Sequence, residues 1–233
     1  MSEQAPEESL PTRVKVCGIT NLADAKLAVD LGAWALGMIF YEGSPRSCSA
    51  AEAQLIVEQL RRRVELCGVF VNAPLEDVVA LSEEIGLSMI QLHGDEGPSF
   101  CSEVSRRTGA RVIKAAQVSG SGDVRDLARF HVDFHLLDAR SPAAARRGMR
   151  GGTGETFDWE LVRERRSRVP LILSGGLHAG NVGAAIAATR PYAVDSASGT
   201  ETAPGHKDPE RLSALFAAVR VAHEQAPRIG QPA

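Results

Sequence analysis

The 233-residue sequence predicts an α/β fold, a single closed (β/α)8 barrel of the TIM type. Short runs of β-branched and apolar residues alternate eight times with longer segments of helical period, a pattern typical of parallel strands with right-handed crossovers. Glycine-rich loops follow the sixth, seventh and eighth runs, where such barrels commonly bind phosphate. An open, doubly wound sheet is the alternative, because periodicity does not show whether a sheet closes.

The elements follow one another without a break. Strands are expected at residues 14–19, 35–40, 65–71, 89–93, 112–118, 134–139, 170–174 and 193–196. Helices are expected between them at about 21–31, 50–60, 75–85, 98–108, 123–130, 158–166, 179–189 and 209–225. The last helix has the clearest period, with apolar residues at i, i+3, i+4 and i+7: Leu212, Leu215, Phe216 and Val219. Asn21 and Ser49 stand where a side chain caps the start of a helix.

The chain divides into an expected disordered extension at residues 1–12, a catalytic barrel at 13–226 and a flexible tail at 227–233. The N-terminal dozen residues are acidic and lack the apolar segment of a secretory signal. No apolar run approaches the roughly 20 residues of a membrane helix. We therefore expect a cytoplasmic protein that does not interact with membranes.

Charge and cysteine content exclude further classes. The chain has 26 basic and 29 acidic side chains and a net charge of −3, whereas nucleic-acid binding requires a cationic surface. No nucleic-acid partner is expected. The four cysteines have no CxxC pair and no Cys/His metal spacing, so neither a disulfide framework nor a metal site is expected: Cys17, Cys48, Cys67 and Cys101.

Catalytic residues of such a barrel lie at the carboxyl ends of its strands. Alternation along residues 14–17 directs Lys15 and Cys17 into the barrel, with Cys17 near the rim beside Gly18. A thiol there is placed to act as a base or nucleophile, although an isolated cysteine also serves as a small buried apolar residue. The other three cysteines have no such setting.

A carboxyl group ends the sixth apolar run, where Asp138 follows residues 134–137. Burying it in the core without a partner would be costly, but the end of a strand reaches the mouth of the barrel. Asp138 is therefore a candidate general acid, and a helix cap or loop anchor is the alternative.

Three glycine-rich loops form a candidate phosphate site, because glycine lets the backbone approach an anion closely. The candidates are Gly152, Gly154, Ser174, Gly175, Gly176, Ser198 and Gly199. Any one loop alone also fits an ordinary turn. The chain has no Walker A motif and no GxGxxG after the first strand, so a nucleotide is not expected.

Two further side chains belong to loops at the same mouth. Arg46 lies after the second strand, and its planar guanidinium suits a substrate carboxylate, although loop arginines are usually solvated. His93 ends the fourth strand and is expected to position substrate rather than to catalyse.

Several motifs, in chain order, resemble the phosphoribosylanthranilate isomerase family of tryptophan biosynthesis. They are KVCGIT at 15–20, GVFVN at 68–72, QLHG at 91–94, GGTG at 151–154 before FDW, and LSGGL at 173–177. The resemblance covers residues 13–220 and implies a barrel enzyme without cofactor or metal. It implies an Amadori rearrangement that converts N-(5-phosphoribosyl)anthranilate to the 1-deoxyribulose isomer.

The resemblance also implies roles for the candidates. Asp138 would protonate the ribose ring oxygen, and Cys17 would remove the C2 proton as a thiolate that Lys15 could favour. Arg46 would face the anthranilate, and the glycine loops would hold the phosphate. The loop before the first glycine motif, residues 143–150, is longer and more basic than is usual in the family.

The expected partner is a small phosphorylated substrate, and the chain is expected to be a monomer or homodimer. One rival is the histidine-pathway isomerase, or a dual-substrate isomerase, but that family has Asp at the end of strand one and two matching phosphate halves. Indole-glycerol-phosphate synthase needs catalytic lysines, and this chain has only four lysines. A catalytically inactive, phosphate-binding barrel is the rival from another class.

Overall fold

The computed structural model describes residues 11–139 and 158–225 and shows a closed barrel of eight parallel strands. The strands β1 to β8 are Arg13–Cys17, Ala35–Ile39, Glu65–Phe70, Met89–Leu92, Arg111–Val118, Phe134–Ala139, Leu171–Leu173 and Ala193–Ser196. The ring closes where β8 pairs with β1, with Asp195 opposite Lys15. The predicted barrel is confirmed, and the open sheet is excluded.

Seven α-helices are found among the described residues, and none of them combines the length and apolar composition needed to cross a membrane. Helices α1 to α7 are Leu22–Asp30, Ala50–Leu60, Leu75–Ile85, Pro98–Thr108, Ser121–Asp126, Val182–Thr189 and Pro209–Glu224. The Asn21 and Ser49 side chains accept hydrogen bonds from the first turns of α1 and α2, as the sequence predicts.

The structure differs from the prediction in three places. The helix expected at 158–166 is a 3₁₀ helix, Trp159–Glu164, a form in which short helical segments and connections commonly occur. The helix expected at 123–130 ends its α-helical part early and continues as 3₁₀ turns at Leu127–Arg129. A hairpin of β9, Glu201–Ala203, and β10, His206–Lys207, follows β8 and was not predicted.

Residues 1–10, 140–157 and 226–233 lie outside the described part of the chain. The expected extension, tail and first glycine loop fall largely or wholly there. The division of the chain into extension, barrel and tail therefore stays a prediction.

Every second strand residue points into the barrel, and these side chains pack as a separate apolar core. Its buried members are Cys17, Ala35, Cys67, Val69, Met89, Ile113, Ala115, Phe134, Leu136, Ile172 and Ala193. The core is closed at the amino ends of the strands by aromatic side chains. Trp34 makes edge contacts with Phe134 and Tyr192, each at 5.4 Å between ring centroids. The interior is therefore filled among the described residues, and the opposite end is where barrels of this kind have their active sites.

The outward face of β6 carries a buried histidine. His135 Nε2 lies 3.0 Å from the Phe130 carbonyl oxygen. Because a carbonyl oxygen only accepts, the ring proton is on Nε2, and this N–H donates to Phe130. Burial lowers the pKa of His135 to about 4, although the Phe130 carbonyl raises it in part. The imidazole is therefore neutral in the folded protein near pH 7, on the strand that carries Asp138.

We expect His135 to make the barrel less stable in acid. In the unfolded chain His135 has an ordinary pKa of 6.5 and binds a proton below that pH, whereas in the folded chain it stays neutral until about pH 4. The unfolded state therefore binds more protons between these two pH values, and the unfolding free energy falls as the pH falls from 6.5 to about 4. His135→Gln keeps a donor for Phe130 but does not titrate. Urea unfolding at a series of pH values should show a smaller loss of unfolding free energy in this variant.

Replacement of the exposed His206 by Gln provides the matched control for losing an imidazole. An identical acid dependence in wild type and His135→Gln would contradict the prediction.

Candidate active site

Four polar side chains converge at the carboxyl ends of the strands. Cys17 ends β1, His93 follows β4, Asp138 is the penultimate residue of β6 and Asp195 lies near the end of β8. All four share the inward face of their strands, because each is an even number of residues from an interior apolar residue. The parallel arrangement places them at one mouth.

Cys17 and Asp138 lie on well-separated sectors of this mouth. Because the ring is closed, β1 is a neighbour of β8, and the two strands β8 and β7 separate β1 from β6. Both residues are largely buried, with exposed fractions of 6% for Cys17 and 4% for Asp138. A thiol and a carboxyl group thus border one space from different sides.

A buried ion pair lies beneath Cys17. Lys15 Nζ is 2.8 Å from Asp195 Oδ1, and the Ser174 hydroxyl donates to Asp195 Oδ2 at 3.1 Å. Burial lowers the pKa of Lys15, but Asp195, Cys17 and Cys67 together outweigh it and hold that pKa above its ordinary value. Lys15 is therefore an ammonium ion inside the barrel.

Gly37 makes room for the thiol and the ammonium together. A Cβ at this position would lie 2.8 Å from Cys17 Sγ and 3.1 Å from Lys15 Nζ. The two groups therefore meet over the bare backbone of β2. Burial raises the pKa of the Cys17 thiol, whereas Lys15 lowers it and Asp195 raises it. Lys15 opposes the effect of burial without overcoming it.

Asp138 has a histidine beside it. His93 Nε2 lies 3.3 Å from Asp138 Oδ2, within ion-pair distance but without the geometry of a hydrogen bond. The Gln91 amide is 2.8 Å from His93 Nδ1. If the amide nitrogen donates there, the ring proton is on Nε2, the atom next to Asp138. This chain of contacts fixes the orientation of the imidazole.

The loops after β7 and β8 form the part of the predicted phosphate site that the structure describes. Gly175 and Gly176 have φ values of +92° and +60°, a backbone region that favours glycine. A Cβ at Gly175 would lie 2.5 Å from the backbone nitrogen of Ala139. A Cβ at Gly199, next to Ser198, would run into the Leu177 carbonyl oxygen. Glycine is therefore required where these loops meet, while Gly152 and Gly154 lie outside the described residues.

Arg46 is not a solvated loop residue. Its Nε and Nη2 atoms bind the Glu201 carboxylate at 2.8–3.0 Å, and its side chain is 11% exposed. The same carboxylate binds Lys207 Nζ at 3.0 Å. The sequence predicts Arg46 at the mouth but neither its partner Glu201 nor Lys207, which binds the same carboxylate. The signal for them was the Pro-Gly turn at 204–205, which indicates a hairpin after strand eight.

A second buried ion pair supports the loops after β3 and β4. Lys114 Nζ binds Glu96 Oε2 at 2.7 Å and the Gly94 carbonyl oxygen at 2.8 Å. Glu96 also accepts from the backbone N–H groups of Asn72 and Gly94, each at 2.8 Å. The loop that follows His93 is therefore anchored from within.

Comparison with known proteins identifies one family. Residues 14–218 match the model of the N-(5'-phosphoribosyl)anthranilate isomerase family. The chain is 45% identical over 206 residues to N-(5'-phosphoribosyl)anthranilate isomerase from Citrifermentans bemidjiense, covering 88% of this chain and 96% of the relative.

Solved structures agree with the sequence comparison. The phosphoribosylanthranilate isomerase of Thermus thermophilus superposes with a TM-score of 0.81 at 39% identity, over 90% of this chain and 99% of the other. A further isomerase structure, in complex with reduced 1-(o-carboxyphenylamino)-1-deoxyribulose 5-phosphate, has a TM-score of 0.75 at 35% identity, over 90% and 99% of the two chains.

The contacts around Cys17 predict opposite effects for two neutralising substitutions. Lys15→Met removes the charge that lowers the pKa of Cys17, so this pKa should rise further. Asp195→Asn removes a charge that raises it, so the pKa should fall. The ultraviolet absorbance of the thiolate, measured against pH and with a Cys17→Ala variant subtracted, reports both shifts. Shifts in the same direction, or none, would contradict this electrostatic account.

Proposed function

The chain belongs to the N-(5'-phosphoribosyl)anthranilate isomerase family, and on that premise we propose how its own residues carry the reaction. The protein is an isomerase of tryptophan biosynthesis that converts N-(5-phosphoribosyl)anthranilate to 1-(2-carboxyphenylamino)-1-deoxyribulose 5-phosphate. One observation carries the assignment of roles: a thiol and a carboxyl group, Cys17 and Asp138, border a single mouth from different strands.

Asp138 is the general acid of the first step. Its carboxyl group donates a proton to the ribose ring oxygen, the bond from C1 to that oxygen breaks, and the nitrogen lone pair forms a Schiff base with C1. His93 supports this role from 3.3 Å, because an imidazole N–H next to one carboxyl oxygen leaves the other oxygen to carry the acid proton. His93 thus positions the acid and the substrate.

Cys17 is the general base of the second step. Its thiolate takes the proton from C2, the electrons of the C–H bond form a C1–C2 double bond, and the iminium nitrogen regains its lone pair. The resulting enolamine tautomerises to the ketone product. The Lys15 ammonium beside the sulfur stabilises the thiolate, which is the form that the step requires.

The two ends of the substrate bind on either side of this chemistry. The backbone of Gly175, Gly176 and Gly199, with Ser198, receives the phosphate, and the sequence assigns Gly152 and Gly154 to the same site. Ser174 shapes this loop, because its N–H donates to the Leu137 carbonyl oxygen at 2.8 Å and its hydroxyl to Asp195 at 3.1 Å. Arg46 receives the carboxylate of the anthranilate. No cofactor takes part in this proposal, and a cytoplasmic location, a monomeric or homodimeric state and the lack of nucleic-acid partners remain predictions.

The rival functions fit the residues less well. The histidine-pathway rival has Asp where this chain has Cys17. A lyase of the indole-glycerol-phosphate synthase type needs available lysines, but Lys15, Lys114 and Lys207 are each held by a buried carboxylate. An inactive barrel would have no need of both a base and an acid at the mouth.

Removal of either catalytic group should abolish most turnover. We expect Cys17→Ala and Asp138→Asn each to lower kcat by a factor on the order of 10² to 10⁴, because each removes one general acid–base step. The affinity for reduced 1-(o-carboxyphenylamino)-1-deoxyribulose 5-phosphate should change little. Steady-state assays and calorimetric titration measure the two quantities.

Cys67→Ala is the matched control, since this thiol is buried in the same barrel but does not end a strand. Its kcat should stay within a few-fold of wild type. Normal turnover in Cys17→Ala or Asp138→Asn would defeat the assignment.

Arg46→Ala should affect binding more than chemistry. Loss of a charge-assisted, bidentate contact with the substrate carboxylate should raise KM by about tenfold or more, with a smaller effect on kcat. The exposed Arg61→Ala variant controls for the loss of one positive charge. An unchanged KM in Arg46→Ala would remove its role in binding.

A further inference from the structure

Glu201 is a buried carboxylate shared by two cations. The side chains of Arg46, Glu201 and Lys207 are exposed by 11%, 3% and 0% respectively. Glu201 Oε2 binds Arg46 Nη2 at 2.8 Å, both carboxylate oxygens bind Arg46 Nε, and Oε1 binds Lys207 Nζ at 3.0 Å. These three residues, here called the mouth triad, join the loop after β2 to the β9–β10 hairpin.

Lys207 fixes the carboxylate in place. Its Nζ donates to the carbonyl oxygens of Cys17 at 2.7 Å and Ala197 at 3.1 Å, in addition to Glu201. Three acceptors use the three protons of an ammonium group. Burial lowers the pKa of Lys207, and the Glu201 carboxylate acts against this by raising it. Glu201 is therefore tied to the ends of β1 and β8.

The stem of Arg46 packs against the residue that follows Cys17. A Cβ on Gly18, the residue after Cys17, would lie 2.8 Å from Arg46 Cδ, so the arginine stem crosses the bare backbone beside the base. Glu201 occupies the edge of the guanidinium formed by Nε and Nη2. The other edge, formed by Nη1 and the second Nη2 proton, has the two parallel donors that bind a further carboxylate.

The charges of the mouth triad do not cancel. Two cations and one carboxylate leave a net charge of +1 in a site with little exposure, whereas the neighbouring Lys15 and Asp195 cancel one another. An uncompensated buried charge is costly, and a ligand carboxylate would remove this cost. The arrangement favours a substrate that brings one negative charge to the free edge of Arg46.

We propose that Glu201 is a positioning residue that sets specificity for a carboxylated aromatic substrate by holding Arg46 in its binding orientation, with Lys207 as its support. The proposal rests on the proposed function, in which Arg46 binds the carboxylate of the anthranilate. Glu201 does not touch the substrate, and it acts only through Arg46.

A double-mutant cycle tests this dependence. We expect Glu201→Gln, which keeps the size of the side chain but loses its charge, to raise KM by about tenfold while kcat falls by less than about threefold. In the Arg46→Ala background the same substitution should raise KM no further, because no guanidinium remains to be positioned. Steady-state kinetics on the wild type, both single variants and the double variant give the cycle.

A pair of ligands separates positioning from damage to the fold. Reduced 1-(o-carboxyphenylamino)-1-deoxyribulose 5-phosphate should bind Glu201→Gln about tenfold more weakly than wild type, by calorimetric titration. The phenylamino analogue without the carboxyl group should bind both proteins equally. Equal losses for both ligands would show a structural role only and would overturn the proposal.

The cycle also distinguishes a failure of the role of Glu201 from a failure of the role of Arg46. A raised KM in Arg46→Ala with a normal KM in Glu201→Gln, or additive effects in the double variant, overturns the role of Glu201 alone. A normal KM in Arg46→Ala overturns the role of Arg46 in the proposed function, and that of Glu201 with it.

Discussion

The ion pair between Lys15 and Asp195 is the interaction on which the site depends. It joins the first and last strands of the barrel at 2.8 Å between residues 180 positions apart, so it forms only when the ring closes. It also brings a positive charge to the sulfur of Cys17, the proposed base, and that charge lowers the pKa of the thiol. Closure of the barrel and the charge beside the thiol therefore depend on one contact, and Gly37 leaves space for the thiol and the ammonium to meet.

The other buried charges follow the same plan. Lys114 with Glu96 anchors the loop that follows His93, and Lys207 with Glu201 anchors the hairpin next to Arg46. Both ion pairs are buried, and each fixes the position of a segment at the mouth of the barrel. Buried ion pairs add little net stability compared with apolar packing, but they fix orientation when every donor is satisfied. In this barrel they hold the loops at defined positions around the mouth.

The sequence was most informative where a signal repeats locally. Alternation predicts that Cys17 lies on the inward face, and the end of an apolar run predicts that Asp138 lies at the mouth, because both signals depend only on neighbouring residues. Asp195 is likewise a carboxylate in an apolar strand, but it is not among the predicted site residues. Glu201 and Arg46 are 155 positions apart and pair only through the closed ring, so no local pattern predicts their contact. The segment Trp159–Glu164 is predicted to be α-helical and is a 3₁₀ helix, because over six residues an i, i+3 spacing of apolar residues fits both helix types.

The aromatic cluster at the closed end of the barrel has a practical consequence. The chain has only two tryptophans, and Trp34 packs edge-on against Phe134 and Tyr192, at the end of the barrel away from Cys17 and Asp138. With Trp159 replaced by phenylalanine, the emission of Trp34 would come from this base alone. Such a single-tryptophan protein would give a fluorescence signal for barrel assembly that ligand binding at the mouth leaves nearly silent.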